Sequence, residues 1–140
     1  MQKPLSSNNY KIDEDKNYIS KVSPSTTVDE FLSNLNIGGN AKIYDSKGNE
    51  VLGNQLVGTG YTVKVEQDGE IYEYQVAVSG DLDGNGKVTV TDLSVINQAT
   101  VGRITLSGVF SEAADLDGNG KTSVTDLSIV NQYITGRITF

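Results

Sequence analysis

Two stretches in the first half of the chain alternate apolar and polar residues with a period of two. Residues 61–65 and 71–78 flank Asp68-Gly69 and together predict a β-hairpin. Tyr72 and Tyr74 share a parity on the second strand, so both point to one face. Packing in the hairpin or core is the expected role for these two. Sugar stacking by Tyr44, Tyr61, Tyr72 and Tyr74 is the alternative. A second strand pair, 41–44 and 50–52, is joined by the turn Asp45-Ser46-Lys47-Gly48. Residues 18–22 form a further β-like run, broken by Ser23-Pro24. The period changes at 28–35, where Phe31, Leu32 and Leu35 fall on one helical face. Thr27 and Glu30 form a capping box that opens this helix. Residues 18–79 therefore predict a small, β-rich α+β module. Residues 1–17 are polar, and a disordered linker is expected there.

The second half is a repeat. Residues 81–106 align without gaps onto 115–140, and 18 of the 26 pairs are identical. Each copy reads DLDGNGK, then VTDLS, NQ and GRIT. Two copies are too few for a solenoid, so 80–140 predicts one domain of two units. Each unit pairs a Gly-rich loop with a following helix, at 91–101 and 125–135, ended by Gly102 and Gly136. Residues 106–114 are expected to be a linker. Residues 74–79 alternate like a strand, so no entering helix is expected before the first loop. Each unit is expected to be a loop plus an exiting helix.

The loops carry the chemistry. Calcium takes six to eight hard oxygen ligands, and a twelve-residue loop supplies them from positions 1, 3, 5, 7, 9 and 12, with Gly turning sharply at 6. In loop one these are Asp81, Asp83, Asn85, the Lys87 carbonyl, Thr89 and Asp92, with Gly86 at the turn. In loop two they are Asp115, Asp117, Asn119, the Lys121 carbonyl, Ser123 and Asp126, with Gly120. An ordinary Asp/Gly/Asn turn explains one such stretch, whereas two copies with every ligand position filled point to two bound calcium ions. Magnesium fits less well, because it wants near-octahedral geometry and few protein ligands. Position 12 is Asp rather than the usual Glu, which must draw the exiting helix toward the ion. Val88 at position 8 is expected to pack between paired loops, where loop two has Thr122.

Charge fits this assignment. Six of the 18 acidic residues are the loop carboxylates, and two divalent ions would offset four of the seven net negative charges. Without metal the three carboxylates of each loop repel, so a partly unfolded apo domain is expected. The acidity argues against nucleic acid, which wants a basic face. The chain has neither Cys nor His. Disulfides and imidazole or thiolate chemistry are therefore excluded. The remaining acids, such as Asp13, Glu14 and Asp15, lie in a polar segment without a pocket signature, so no catalysis is expected of this chain, although the parent protein can carry a catalytic domain. No apolar run is long enough to span a bilayer. If the parent protein is secreted, its signal is expected upstream of Met1.

Duplicated calcium loops with Asp at position 12, each followed by one helix, resemble dockerin domains over residues 80–140. The resemblance implies an all-α domain of two loop-helix units related by a pseudo-twofold axis. It implies a cohesin on a scaffold protein as partner, an extracellular or cell-surface location, and assembly of polysaccharide-degrading complexes. The preceding module resembles, in position and size, the X-modules that often stand before dockerins. The family's partner-binding positions fall on Val90, Thr91, Val95, Asn97 and Gln98 in copy one. In copy two they fall on Val124, Thr125, Ile129, Asn131 and Gln132. The neutral Asn-Gln pairs stand where cellulosomal relatives often carry basic residues, which lowers the expected salt dependence. Leu93, Ile96, Leu127 and Val130 are expected to face the core by helical spacing. The twin faces suggest docking in two orientations related by 180°. The free chain is expected to be monomeric. The competing reading is a calcium-stabilised spacer or cell-surface stalk without a cohesin.

Overall fold

The capping box forms as its residues require. Thr27 Oγ1 accepts from the Glu30 amide, and Glu30 Oε1 accepts from the Thr27 amide. Helix α1 (Val28–Ser33) follows, with Val28 and Phe31 buried. It covers a sheet built from β2 (Lys11–Asp13), β3 (Tyr18–Val22), β5 (Asn40–Tyr44), β6 (Glu50–Val51), β7 (Thr62–Gln67) and β8 (Glu70–Val78). A separate two-residue pairing joins β1 (Leu5–Ser6) to β4 (Asn36–Ile37). The computed structural model describes residues 4–140.

The hairpin β7–β8 turns at Asp68 (φ 53°) and Gly69 (φ 81°), so both turn residues are left-handed. Sheet order is β2-β3-β8-β7-β5-β6. The β3–β8 pairing is parallel, and its register shifts between Ile19 and Val22. Side chains alternate across β8 as a two-sided strand demands. Tyr74, Val76 and Val78 enter the N-terminal core with Phe31, Val63 and Val65, whereas Ala77 points the other way, into a second core.

That second core belongs to the repeat. Its buried centre is Leu82, Ile96, Val109, Ala113, Ala114 and Val130. Helices α2 (Val90–Thr100) and α4 (Val124–Ile134) pack against each other. Both begin one residue earlier than the apolar spacing suggests, because Thr89 and Ser123 are the N-caps. Gly102 and Gly136 follow the C-caps at φ 79° and 80°, in the left-handed region that closes a helix.

Two expectations are corrected. The described part of residues 1–17 is ordered: β2 pairs antiparallel with β3, and Leu5 is buried. Leu5, Tyr10 and Ile12 pack against the first core, while Met1–Lys3 lie outside the described residues. The expected linker at 106–114 contains helix α3 (Gly108–Ala114), which packs its Val109, Ala113 and Ala114 into the second core. Loop two therefore has a short entering helix. Loop one instead follows strand β8, as its alternation predicted.

Candidate functional site

Loop one starts where β8 ends. Gly80, at φ 78°, turns the chain and donates its amide to the Ala113 carbonyl. Asp81 is fully buried. Its Oδ1 accepts from the Gly84 and Asn85 amides at 3.0 and 3.2 Å, and its Oδ2 accepts from Gly86 at 2.9 Å and Thr59 at 3.0 Å. Asp92 is also fully buried and closes the loop from the first turn of α2. Its carboxylate accepts from the Leu82 amide at 2.7 Å, the Asp83 amide at 3.1 Å and the Thr89 amide at 2.8 Å. Asp83 is exposed, and its Oδ1 accepts from the Asn85 amide. Asn85 Oδ1 accepts from the Lys87 amide. Thr89 Oγ1 accepts from the Thr91 amide, so the position-9 side chain serves as a helix cap.

Loop two repeats the geometry. Asp115 Oδ1 and Oδ2 accept from the Asn119 and Gly120 amides, and Asp126 accepts from Leu116, Asp117 and Ser123. Asp117 accepts from Asn119, and Asn119 from Lys121. Asp126 is buried, Asp115 half-buried and Asp117 exposed.

In each loop one oxygen from each of three carboxylates lies within 4.8 Å of the others, for Asp81, Asp83 and Asp92 and again for Asp115, Asp117 and Asp126. Three anions at that spacing repel one another, and backbone amides supply only partial positive charge in return. The electrostatic consequence is visible at loop one. Burial pushes the Asp81 carboxyl up to about 7, helped by the neighbouring Asp83 carboxyl and the Asp92 charge and opposed by the Thr59 and Gly86 amides. Burial also raises Asp92, against the amides of Thr89 and Leu82. A divalent cation among these oxygens removes the repulsion, so the donor set fits a hard, oxygen-seeking ion such as calcium.

The expected partner residues separate into two groups. Val90 and Val124 are 69% and 70% exposed, and Thr91, Thr125, Asn97 and Asn131 are exposed with them. Val95 and Ile129 are half-buried, and Val95 packs against the second core. The amides of Gln98 and Gln132 each donate to a serine hydroxyl one turn back, Ser94 and Ser128. Ile96 and Val130 are fully buried, as their spacing predicts. Leu93 and Leu127 pack against the second core, as their spacing predicts. They are half-buried and line a groove of about 470 Å³ with Val90, Ser94, Asn97 and Asn131. The seam between the two helices shields these leucines only partly, so each packs against the core and also borders the groove.

On β8, Tyr72 is half-buried and packs against the first core, and Tyr74 lies within it. Tyr74 is 2% exposed, and its hydroxyl donates to Glu14 Oε2 at 2.9 Å. The same bond places Glu14 in a structural role within the segment expected to be disordered.

Residues 79–135 match the family model of the dockerin type I domain. The C-terminal segment of the chain is thus a dockerin domain, a non-catalytic interaction domain of a class that binds calcium. No curated protein matches the chain. Among solved structures, the chain is similar to one from Acetivibrio cellulolyticus, described as the third cohesin ScaC in complex with the ScaB dockerin. Identity is 38%, over 42% of this chain and 84% of that one, with a TM-score of 0.40. Among the described residues no helix is long and apolar enough to cross a membrane.

Proposed function

We propose that the chain is an X-module–dockerin pair that holds two calcium ions and docks onto a cohesin of a scaffold protein. Its task is then adaptor work: attaching a larger protein to an extracellular complex that degrades polysaccharide. The dockerin match carries this reading, because dockerins are cohesin-binding modules. The clustered carboxylates of Asp81, Asp83 and Asp92 support one ion in loop one, with Asn85, the Lys87 carbonyl and Thr89 completing the ligand set. Asp115, Asp117 and Asp126 support the other, with Asn119, the Lys121 carbonyl and Ser123 completing its set. The cohesin-facing surface is Val90, Thr91 and Asn97 with Val124, Thr125 and Asn131, and Leu93 and Leu127 form the groove between them. Val95, Gln98, Ile129 and Gln132 flank it. Exposed apolar residues beside a groove favour an interface over a plain spacer.

Calorimetric titration against a panel of cohesins tests this. At least one cohesin binds in calcium, and chelator abolishes the heat. Calcium uptake without binding to any cohesin overturns the adaptor in favour of the stalk. A chain that takes up no calcium overturns the metal assignment as well.

A further inference from the structure

The two calcium loops are near-identical in sequence but sit in different surroundings. Loop one is walled by the N-terminal unit. The Thr59 amide donates to Oδ2 of the fully buried Asp81. The Thr59 side chain is itself fixed, its hydroxyl donating to the Val78 carbonyl at 3.2 Å and accepting from the Val78 amide at 3.0 Å. The Ser25 amide donates to the Gly86 carbonyl at 2.7 Å. Contacts between the backbones leave no room for side chains. A Cβ on Gly58 would lie 2.1 Å from the Gly84 carbonyl oxygen, and one on Gly86 would lie 2.8 Å from the Val57 carbonyl oxygen. The matching glycines of loop two, Gly118 and Gly120, have nothing within 4 Å of such a Cβ. Loop two instead borders an open cleft of about 230 Å³, lined by Lys16, Tyr18 and Ser111 among others.

We infer that residues 56–60 of the N-terminal unit are part of calcium site one, so that calcium in loop one and folding of the N-terminal unit stabilise each other, while loop two exchanges its ion independently. This rests on the assignment of calcium to both loops. The physical basis is linkage. A ligand that binds only when a wall is in place stabilises the wall by the same factor by which the wall tightens the ligand. Thr59 acts as a positioning residue, since its amide holds one Asp81 oxygen and leaves the carboxylate aimed at the ion. Occlusion also slows escape of the ion, because loop one must part from residues 56–60 before it opens.

The test uses the full chain and calcium itself. Calorimetry and chelator-jump kinetics on the wild type should resolve two ions, one leaving at least tenfold more slowly than the other. Gly58→Ala has an ordinary backbone angle, clashes with the Gly84 backbone and comes within 3.0 Å of Tyr61 Cε1, the end of a side chain that can shift. It should weaken one site at least tenfold and leave the other unchanged. Gly118→Ala is the control for strain within a loop and should leave the slow site unchanged.

Hydrogen exchange supplies a second readout that does not depend on Gly58→Ala folding. In an Asp115→Asn/Asp126→Asn chain, calcium should still slow exchange of β7 and β8 amides. In an Asp83→Asn chain that protection should disappear. Two ions leaving at equal rates, or Gly58→Ala binding both as the wild type does, overturns the coupling and leaves the calcium assignment intact. A wild type that binds no calcium overturns both.

Discussion

Asp81 concentrates the electrostatics of the molecule in one carboxylate. It is fully buried with two other acids near it, and its acidity is weakened to about 7 when no ion is present. A folded-state pKa raised above the ordinary 3.8 favours the protonated form in the fold. The stabilisation from that proton is complete below pH 3.8 and is lost as pH rises through about 7. Calcium-free protein should therefore become less stable between about pH 5 and pH 8, visible as a falling melting temperature under chelator. Calcium should reverse the trend, because it takes the proton's place and binds more weakly as the pH drops below 7. Asp81→Asn should flatten the chelated profile. A chelated wild type whose melting temperature rises over that window contradicts this account of the buried carboxylate. The grouping of Asp81 with Asp83 and Asp92 was legible in the sequence, since all three lie within twelve residues. The burial of Asp81 was not, because the Thr59 amide that reaches it lies 22 residues away in another unit.

At the scale of elements, local signals were readable and distant ones were not. Thr27 with Glu30 located α1, and Asp68-Gly69 located the β7–β8 hairpin, because each signal acts within a few residues. The strands β1, β2 and β4 span only two or three residues and depend on partners elsewhere in the chain. Helix α3 has seven residues, and its Ser107 N-cap makes no side-chain bond. The apolar pairs Val109–Ala113 and Phe110–Ala114 carry an i, i+4 spacing that could have revealed it. The order of the N-terminal segment rests partly on Tyr74. Its hydroxyl bonds Glu14, whose other carboxylate oxygen is buried and without a partner among the described residues. Tyr74→Phe removes the one donor to that carboxylate among the described residues and should cost about 1–3 kcal/mol. Urea unfolding measures the loss. A Tyr74→Phe chain as stable as the wild type would show that Glu14 finds water instead.

The whole molecule joins a symmetric surface to an asymmetric support. Val90 and Val124 are exposed to the same extent, the groove between α2 and α4 takes Leu93 from one and Leu127 from the other, and Asn97 has its counterpart in Asn131. The N-terminal unit touches loop one closely and leaves loop two open. The repeat therefore carries two near-equivalent exposed faces, while the N-terminal unit buttresses loop one alone. If either face can lead in docking, removing one deletes one of two equal binding modes. That halves the association constant, a loss of about 0.4 kcal/mol on a scale where 1.4 kcal/mol is tenfold. Val90→Ala/Thr91→Ala should thus weaken cohesin binding about twofold, and Val124→Ala/Thr125→Ala should do the same. The four substitutions together leave no intact face and should weaken binding at least tenfold. Titration calorimetry at saturating calcium measures all three. A tenfold loss from Val90→Ala/Thr91→Ala alone would mean that the cohesin reads one face, and that the asymmetry set up at loop one extends to the docking surface.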